Sequence, residues 1–168
     1  MRIPVPSGIV IREAVREDER AIRAMVRLER LNPLGVDWRN FLVAVDPDRR
    51  IVGIGAVKRH GDGSREMASI AVAADWRGRG TAGALIGSIL ERESAAAGVQ
   101  PAALHLICRA AMAPFYERFG FRKIGIGAMP PFFRRLYKLA SAAALIFRLR
   151  NEMTVMKREA NSKRRPGG

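Results

Sequence analysis

Ser69-Ile70-Ala71-Val72-Ala73-Ala74-Asp75-Trp76-Arg77-Gly78-Arg79-Gly80-Thr81-Ala82 is the stretch on which the reading of this 168-residue chain turns. Ile70 to Ala74 is a short apolar run, the end of a buried strand. A turn punctuated by Gly78 and Gly80 follows, and Ala82, Leu85, Ile86 and Ile89 then recur at helical spacing. A strand that feeds a glycine turn opening a helix makes an anion site. The first helical N–H groups have no partner within the helix, the helix dipole favours negative charge there, and glycine lets a phosphate approach the backbone. Arg77 and Arg79 add two cations able to pair with phosphate oxygens. The spacing lacks the Gly-Lys-Ser/Thr ending of a nucleotidase loop and the third glycine of a dinucleotide fingerprint. On its own, a Gly-Arg-Gly turn is also an ordinary strand-to-helix connection.

Arg77-Gly78-Arg79-Gly80-Thr81-Ala82 resembles the (Gln/Arg)-x-x-Gly-x-(Gly/Ala) signature of the GNAT superfamily of N-acetyltransferases. A second stretch, Ala113-Pro114-Phe115-Tyr116-Glu117-Arg118-Phe119-Gly120-Phe121, resembles the family's Tyr-Glu-x-x-Gly-Phe region downstream of that loop. The resemblance spans about residues 9–128 and 150–157. It implies an α/β (α+β) fold with a mixed, mostly antiparallel sheet of about seven strands flanked by helices, in which the fourth and fifth strands splay to admit CoA. It also implies acetyl-CoA as acyl donor. Arg77, Gly78, Arg79, Gly80, Thr81 and Ala82 would cradle its diphosphate, and the backbone of Ile70, Ala71 and Val72 would pair with its pantetheine arm like an added strand. An N–H near Val72, where the family's fourth strand bulges, would face the oxyanion.

Two side chains are the catalytic candidates. Tyr116 stands where the resemblance implies a general acid for the departing thiolate; a helix tyrosine packed on Phe115 and Phe119 is the plainer alternative. Glu66 falls where the histone-acetylating branch carries a glutamate base, since an ammonium must lose a proton before it attacks a thioester. Water is the alternative base, and a strand-edge glutamate paired with Arg65 or a neighbour the alternative role. Arg109 stands seven residues before Tyr116, where many members carry an asparagine that contacts CoA. Cys108 reads as a small apolar filler. His60 and His105 have no partner at metal-ligand spacing, so no metal is assigned.

The other segments fit the same plan. Strands are expected at 9–14, 41–45, 51–57, 65–72, 104–108, 121–126 and 152–157, with helices from Glu17, from Gly80 to a cap at Gly98, and from Pro114 to Phe119. An extra helix at 132–149, within an insertion at 129–149, separates the last two strands. Its apolar face is expected to be Phe132, Leu136, Leu139, Ala140, Ala143, Ile146 and Phe147, opposite Arg134, Lys138, Ser141 and Arg148. Such a helix could cover the sheet, line the acceptor side, form a homodimer contact, or rest its basic face on a polyanion. Residues 1–158 form one expected domain and 159–168 a disordered basic tail.

Composition bounds the rest. The net charge is +14, of which +8 lies in residues 129–168, so polyanions are attracted. The bias of 25 Arg to 5 Lys also suits a high-GC coding sequence. One cysteine excludes an internal disulfide, and no secretory leader or membrane-length apolar run is visible, so a cytoplasmic protein is expected. The expected activity is transfer of acetyl from acetyl-CoA to a primary amine by direct attack in a ternary complex. The acceptor stays open between a small amine, a protein amine and an aminoacyl-tRNA. The rival reading is a basic, non-catalytic module of the same fold that binds nucleic acid or anionic membrane.

Overall fold

The computed structural model describes residues 4–96, 103–146 and 153–159. Seven strands form a sheet in the order β1-β2-β3-β4-β5-β7-β6: β1 Val10–Glu13, β2 Phe41–Val45, β3 Ile51–Arg59, β4 Arg65–Val72, β5 Leu104–Arg109, β6 Arg122–Lys123 and β7 Met153–Arg158. Among the described residues four helices accompany them: α1 Glu19–Leu28, α2 Thr81–Ala95, α3 Ala113–Glu117 and α4 Pro131–Ile146. The mixed sheet with flanking helices is the architecture the sequence implied. The chain packs as two compact units. One contains the residues through Lys58 together with Met67–Ala96, the other Arg59–Glu66 with the residues that follow Ala96.

In the first unit, β1 runs antiparallel to β2, and β2 to β3. The Asp18 carboxylate closes the 3-10 turn Arg16–Asp18 that leads into α1, accepting the Val15 N–H at 2.8 Å and two hydrogen bonds from Arg12. The Arg12 guanidinium and that N–H hold Asp18 below the usual carboxylate range, against the opposing effect of burial. Ile22, Met25 and Val26 then bury one face of α1 against Phe41, Val43, Ile54 and Ala71. β3 is apolar along almost its whole length because both its faces are covered. Gly53 and Gly55 let neighbours come close: a Cβ on Gly55 would stand 2.8 Å from both Ile70 Cδ1 and Ile89 Cδ1, and one on Gly53 2.9 Å from Leu85 Cδ1. The long α2 therefore packs near the strand backbone through Leu85 and Ile89, both fully buried.

In the second unit, the start of β4 pairs in parallel with β5, Arg65 opposite Leu104 and Glu66 opposite His105. β5 runs antiparallel to β7 from Leu104–Arg158 to Arg109–Met153, and β7 pairs with β6. The strand expected at 121–126 is cut to Arg122–Lys123. Ile124 still donates its N–H to Val155 O at 3.0 Å, but a 3-10 turn at Ile126–Ala128 follows Gly125 and ends the ladder.

The extra helix does lie between the last two strands, but its buried face differs from the expected one. Phe133 is the residue with no exposure, packed with Met129 and Val155 and flanked by Tyr137, while Leu139 is 69% exposed. Phe132, Leu136 and Leu139 instead line an open cavity of about 560 Å³, shared with Asp62 of the β3–β4 turn and Arg135. Helical periodicity finds an apolar stripe, but here Phe133 fills the cluster with Met129 and Val155 while Phe132, packed at its edge, stacks on His60. The expected cap at Gly98, Phe147 of the helix face, residue 152 of the last strand and the tail at 160–168 lie outside the described residues. Among the described residues no helix is long and apolar enough to cross a membrane.

Candidate active site

The glycine loop lies in the first unit. A 3-10 turn, Ala74–Trp76, leaves β4, and Gly78 and Gly80 take φ of 74° and 87°, a region open to glycine at little cost. A side chain on Gly78 would meet nothing within 4 Å, so the backbone there is open to an approaching group. Gly80 caps α2, whose first hydrogen bond runs from Ala84 N to Gly80 O at 3.0 Å. Thr81 is buried, with Oγ1 placed 3.4 Å from the Trp76 carbonyl, and Ala82 is half-buried. A fifteen-residue helix with no acid in its first turn, preceded by two left-handed glycines, is suited to an anion.

The two arginines do different things. Arg77 Nη2 contacts both carboxylate oxygens of Glu29 at 2.6 and 2.7 Å, and its Nε donates to Val72 O at 3.0 Å. It fastens the loop to the chain just past α1. The Arg79 guanidinium lies 4.9 Å from the Trp76 ring centre and has no acid partner among the described residues. Local sequence made the two look equivalent; only the partner 48 residues away separates them.

β4 has its irregular residue at Ser69, with φ of 56°, three positions before the expected bulge near Val72. The left-handed residue interrupts the in-and-out alternation: Ala68, Ser69 and Ile70 are all half-buried, and Ala71 and Val72 are both buried. A left-handed residue inside a strand marks an irregularity of the bulge type. The Val72 carbonyl is occupied by Arg77, and the adjoining Ala73 N–H by Val52 O at 2.8 Å.

Glu66 and Tyr116 both belong to the second unit, and each has its own surroundings. Glu66 Oε2 lies 2.9 Å from His60 Nε2, and the two side chains are 16% and 13% exposed. Its partner is thus a histidine across the β3–β4 turn. Sequence reading set His60 aside because it looked for metal spacing; the turn register, with His60 N donating to Ser64 O at 2.9 Å, was the usable signal. The Tyr116 ring makes edge contacts with Phe115 and Phe121 at 5.2 and 6.3 Å. Burial, and then the neighbouring Cys108, push its phenol up to about 12, so it keeps its proton at neutral pH. Burial also raises the Cys108 thiol, whose sulfur lies 3.8 Å from Met156 Sδ. Arg109 ends β5 with an exposed side chain. No group of three or more His, Cys, Asp or Glu among the described residues is placed to hold a metal ion.

The profile of the acetyltransferase (GNAT) domain family matches residues 37–123, more than half of the chain, and the chain belongs to that family. No curated protein matches it. Among solved structures, N-acetylglutamate synthase from Neisseria gonorrhoeae, complexed with coenzyme A and N-acetyl-glutamate, superposes with a TM-score of 0.69 at 19% identity over 92% of this chain. The chain spans only 36% of that synthase's length. The ribosomal-protein-S18-alanine N-acetyltransferase from Escherichia coli gives 0.62 at 14% identity over 95% of this chain and 99% of its own. A GNAT family N-acetyltransferase, YhbS, also from E. coli and in complex with CoA, gives 0.52 at 25% identity over 71% of both chains. The first two likenesses establish the fold.

Proposed function

We propose that the chain transfers the acetyl group of acetyl-CoA to a primary amine. The observation that carries this reading is the loop at Gly78–Gly80 opening α2 with two left-handed glycines, in a chain of the acetyltransferase family. Its helix-start amides and Arg79 would hold the donor's diphosphate, and the backbone at Ile70–Val72 its pantetheine arm. Coenzyme A in the gonococcal and YhbS complexes supports that donor class.

In the reaction an ammonium proton passes to the Glu66 carboxylate, directly or through water. The freed nitrogen lone pair forms a C–N bond at the thioester carbonyl as the C–S bond breaks. Main-chain N–H groups around Ser69 to Val72 stabilise the oxygen that gains charge. The sulfur leaves as a thiolate and takes a proton from the Tyr116 hydroxyl, whose burial keeps it protonated and available. Protons balance when the nitrogen, cationic once the C–N bond has formed, gives up a second proton that restores the Tyr116 hydroxyl, while Glu66 releases the first to solvent. Positioning the reactants supplies much of the rate. One neighbour is named an N-acetylglutamate synthase and another a ribosomal-protein-S18-alanine N-acetyltransferase, so amino-acid and protein acceptors both belong in the test.

The test is incubation with acetyl-CoA and pools of amino acids, small amines and peptides, following free thiol and acetylated products by mass spectrometry. Thiol release that depends on the amine supports the reading. CoA binding without turnover across all the pools would refute it.

A further inference from the structure

His60 sits at the start of the β3–β4 turn, and four observations converge on its ring. Nε2 lies 2.9 Å from Glu66 Oε2. The ring stacks on Phe132 with centres 3.5 Å apart and planes within 13°. Phe133, fully buried, meets it edge-on at 5.7 Å. Two residues along, Asp62 Oδ2 accepts the Phe132 N–H at 2.8 Å, which fastens the turn to the first turn of α4.

The Asp62 carboxyl is held at about 2 by the Ser64 hydroxyl and then by that N–H, so the fastening persists across the working pH range. An imidazole fixed on one face by stacking and on one edge by a perpendicular ring has little freedom to rotate. The carboxylate it holds is fixed with it, leaving the second oxygen, Oε1, to meet a proton.

We propose that His60 is a positioning residue for the acyl-transfer base: its Nε2 holds Glu66 Oε2 in place, and the inserted helix α4 clamps its ring through Phe132 and Phe133. This rests on the reading of Glu66 as the base. It also gives the insertion a role, because the segment that supplies Phe132 and Phe133 sets the orientation of a group on β4. His105 of β5 lies beyond Phe133, 5.0 Å from it. Loss of the imidazole therefore frees the carboxylate from a fixed orientation, which has a signature in rate.

The experiment compares His60→Ala, His60→Gln, Glu66→Gln and the double variant His60→Ala/Glu66→Gln, with thermal unfolding checked for each. His60→Ala is expected to lower kcat by about 10–100-fold and leave KM for acetyl-CoA unchanged. His60→Gln keeps a donor to Oε2 and should recover part of kcat. The double variant should be no slower than Glu66→Gln alone, as for residues acting as one unit. If His60→Ala does not fold, His60→Leu takes its place, with a side chain kept against Phe132 and no donor to Oε2.

Wild-type kcat in both His60 variants, with Glu66→Gln impaired, would overturn the inference and leave the base reading standing. A loss from His60→Ala that repeats in full in the Glu66→Gln background would show a structural role and overturn it too. Wild-type turnover in Glu66→Gln would remove the base assignment itself.

Discussion

Arg77 and Arg79 occupy neighbouring places in one motif, yet their surroundings predict opposite phenotypes. Arg77→Ala removes a pair with Glu29, whose side chains are 55% and 22% exposed, and a hydrogen bond to Val72 O. A solvent-screened ion pair contributes about 0.5–1 kcal/mol and a hydrogen bond from a charged donor about 1 kcal/mol more. The total of roughly 1.5–2 kcal/mol corresponds to about 3–8 °C in Tm for a chain of this size. Arg79→Ala removes a cation stacked on Trp76, with no internal acid to lose, so Tm should stay within about 1 °C. A phosphate contact at that exposed position is worth about 1.5 kcal/mol, or roughly tenfold in CoA affinity. Calorimetric titration with CoA and thermal unfolding in the same buffer read both quantities, and added salt should shrink the Arg79 effect. Normal CoA affinity in Arg79→Ala, together with a tenfold loss in Arg77→Ala at unchanged Tm, would refute the division of labour.

Three further outcomes follow from particular contacts. Tyr116→Phe should keep the ring packing and lower kcat by about 10²-fold or more, with KM for acetyl-CoA little changed; unaltered turnover takes the phenol out of the mechanism. His105 is 5% exposed with Nδ1 buried and without a hydrogen-bond partner, and burial, joined by Lys157, holds it below its ordinary value of 6.5 despite a hydrogen bond that the ring donates to the Arg65 backbone and the nearby Glu159 and Asp62. The unfolded chain then binds the extra proton first. Stability should fall as pH drops below about 6.5 toward the lower folded value and level off beneath it, a slope that urea titrations should find missing in His105→Leu. Gly53→Ala places a Cβ 2.9 Å from Leu85 Cδ1, 3.3 Å from Ala44 Cβ and 3.4 Å from Ala71 O. The net loss should be about 0.5–2.5 kcal/mol, overpacking less the gain from a stiffer unfolded chain, and a stabilised variant would contradict the packing.

Patterns that depend on near neighbours were legible in the sequence. β4 at Arg65–Val72 was expected from apolar spacing after Gly61-Asp62-Gly63-Ser64, and it is observed with those bounds. The same holds for β2 at Phe41–Val45, bounded by the Asp46 turn. Glycine before a helical repeat placed the start of α2 within one residue. In each case the cause is local, a turn or cap whose chemistry is written in the residues that make it. β6 was overestimated for a related reason. Phe121 to Ile126 has strand-like composition, but the pairing stops where Gly125 and Gly127 frame a turn, and composition does not say how far a partner strand extends.

The site shows where local reading ends. Glu66 could be singled out by its place on β4, but what a carboxylate does depends on what holds it, and here that is His60. The stack on His60 comes from Phe132, and the bond that brings α4 to the turn joins Asp62 to Phe132 across 70 residues. No periodicity carries such a contact, because each half satisfies its own local rule: Asp62 starts an Asx-type turn with Ser64, and Phe132 sits in an amphipathic repeat. Phe133 fills the cluster with Met129 and Val155, and Phe132, packed at the edge of that cluster, also stacks on the imidazole. The insertion could have covered the sheet, lined the acceptor side, formed a dimer contact or met a polyanion; its first turn has an occupant within its own chain. Substitutions along its exposed length, at Leu139 for example, should therefore leave kcat in place, whereas Phe132→Ala should lower it as His60→Ala does.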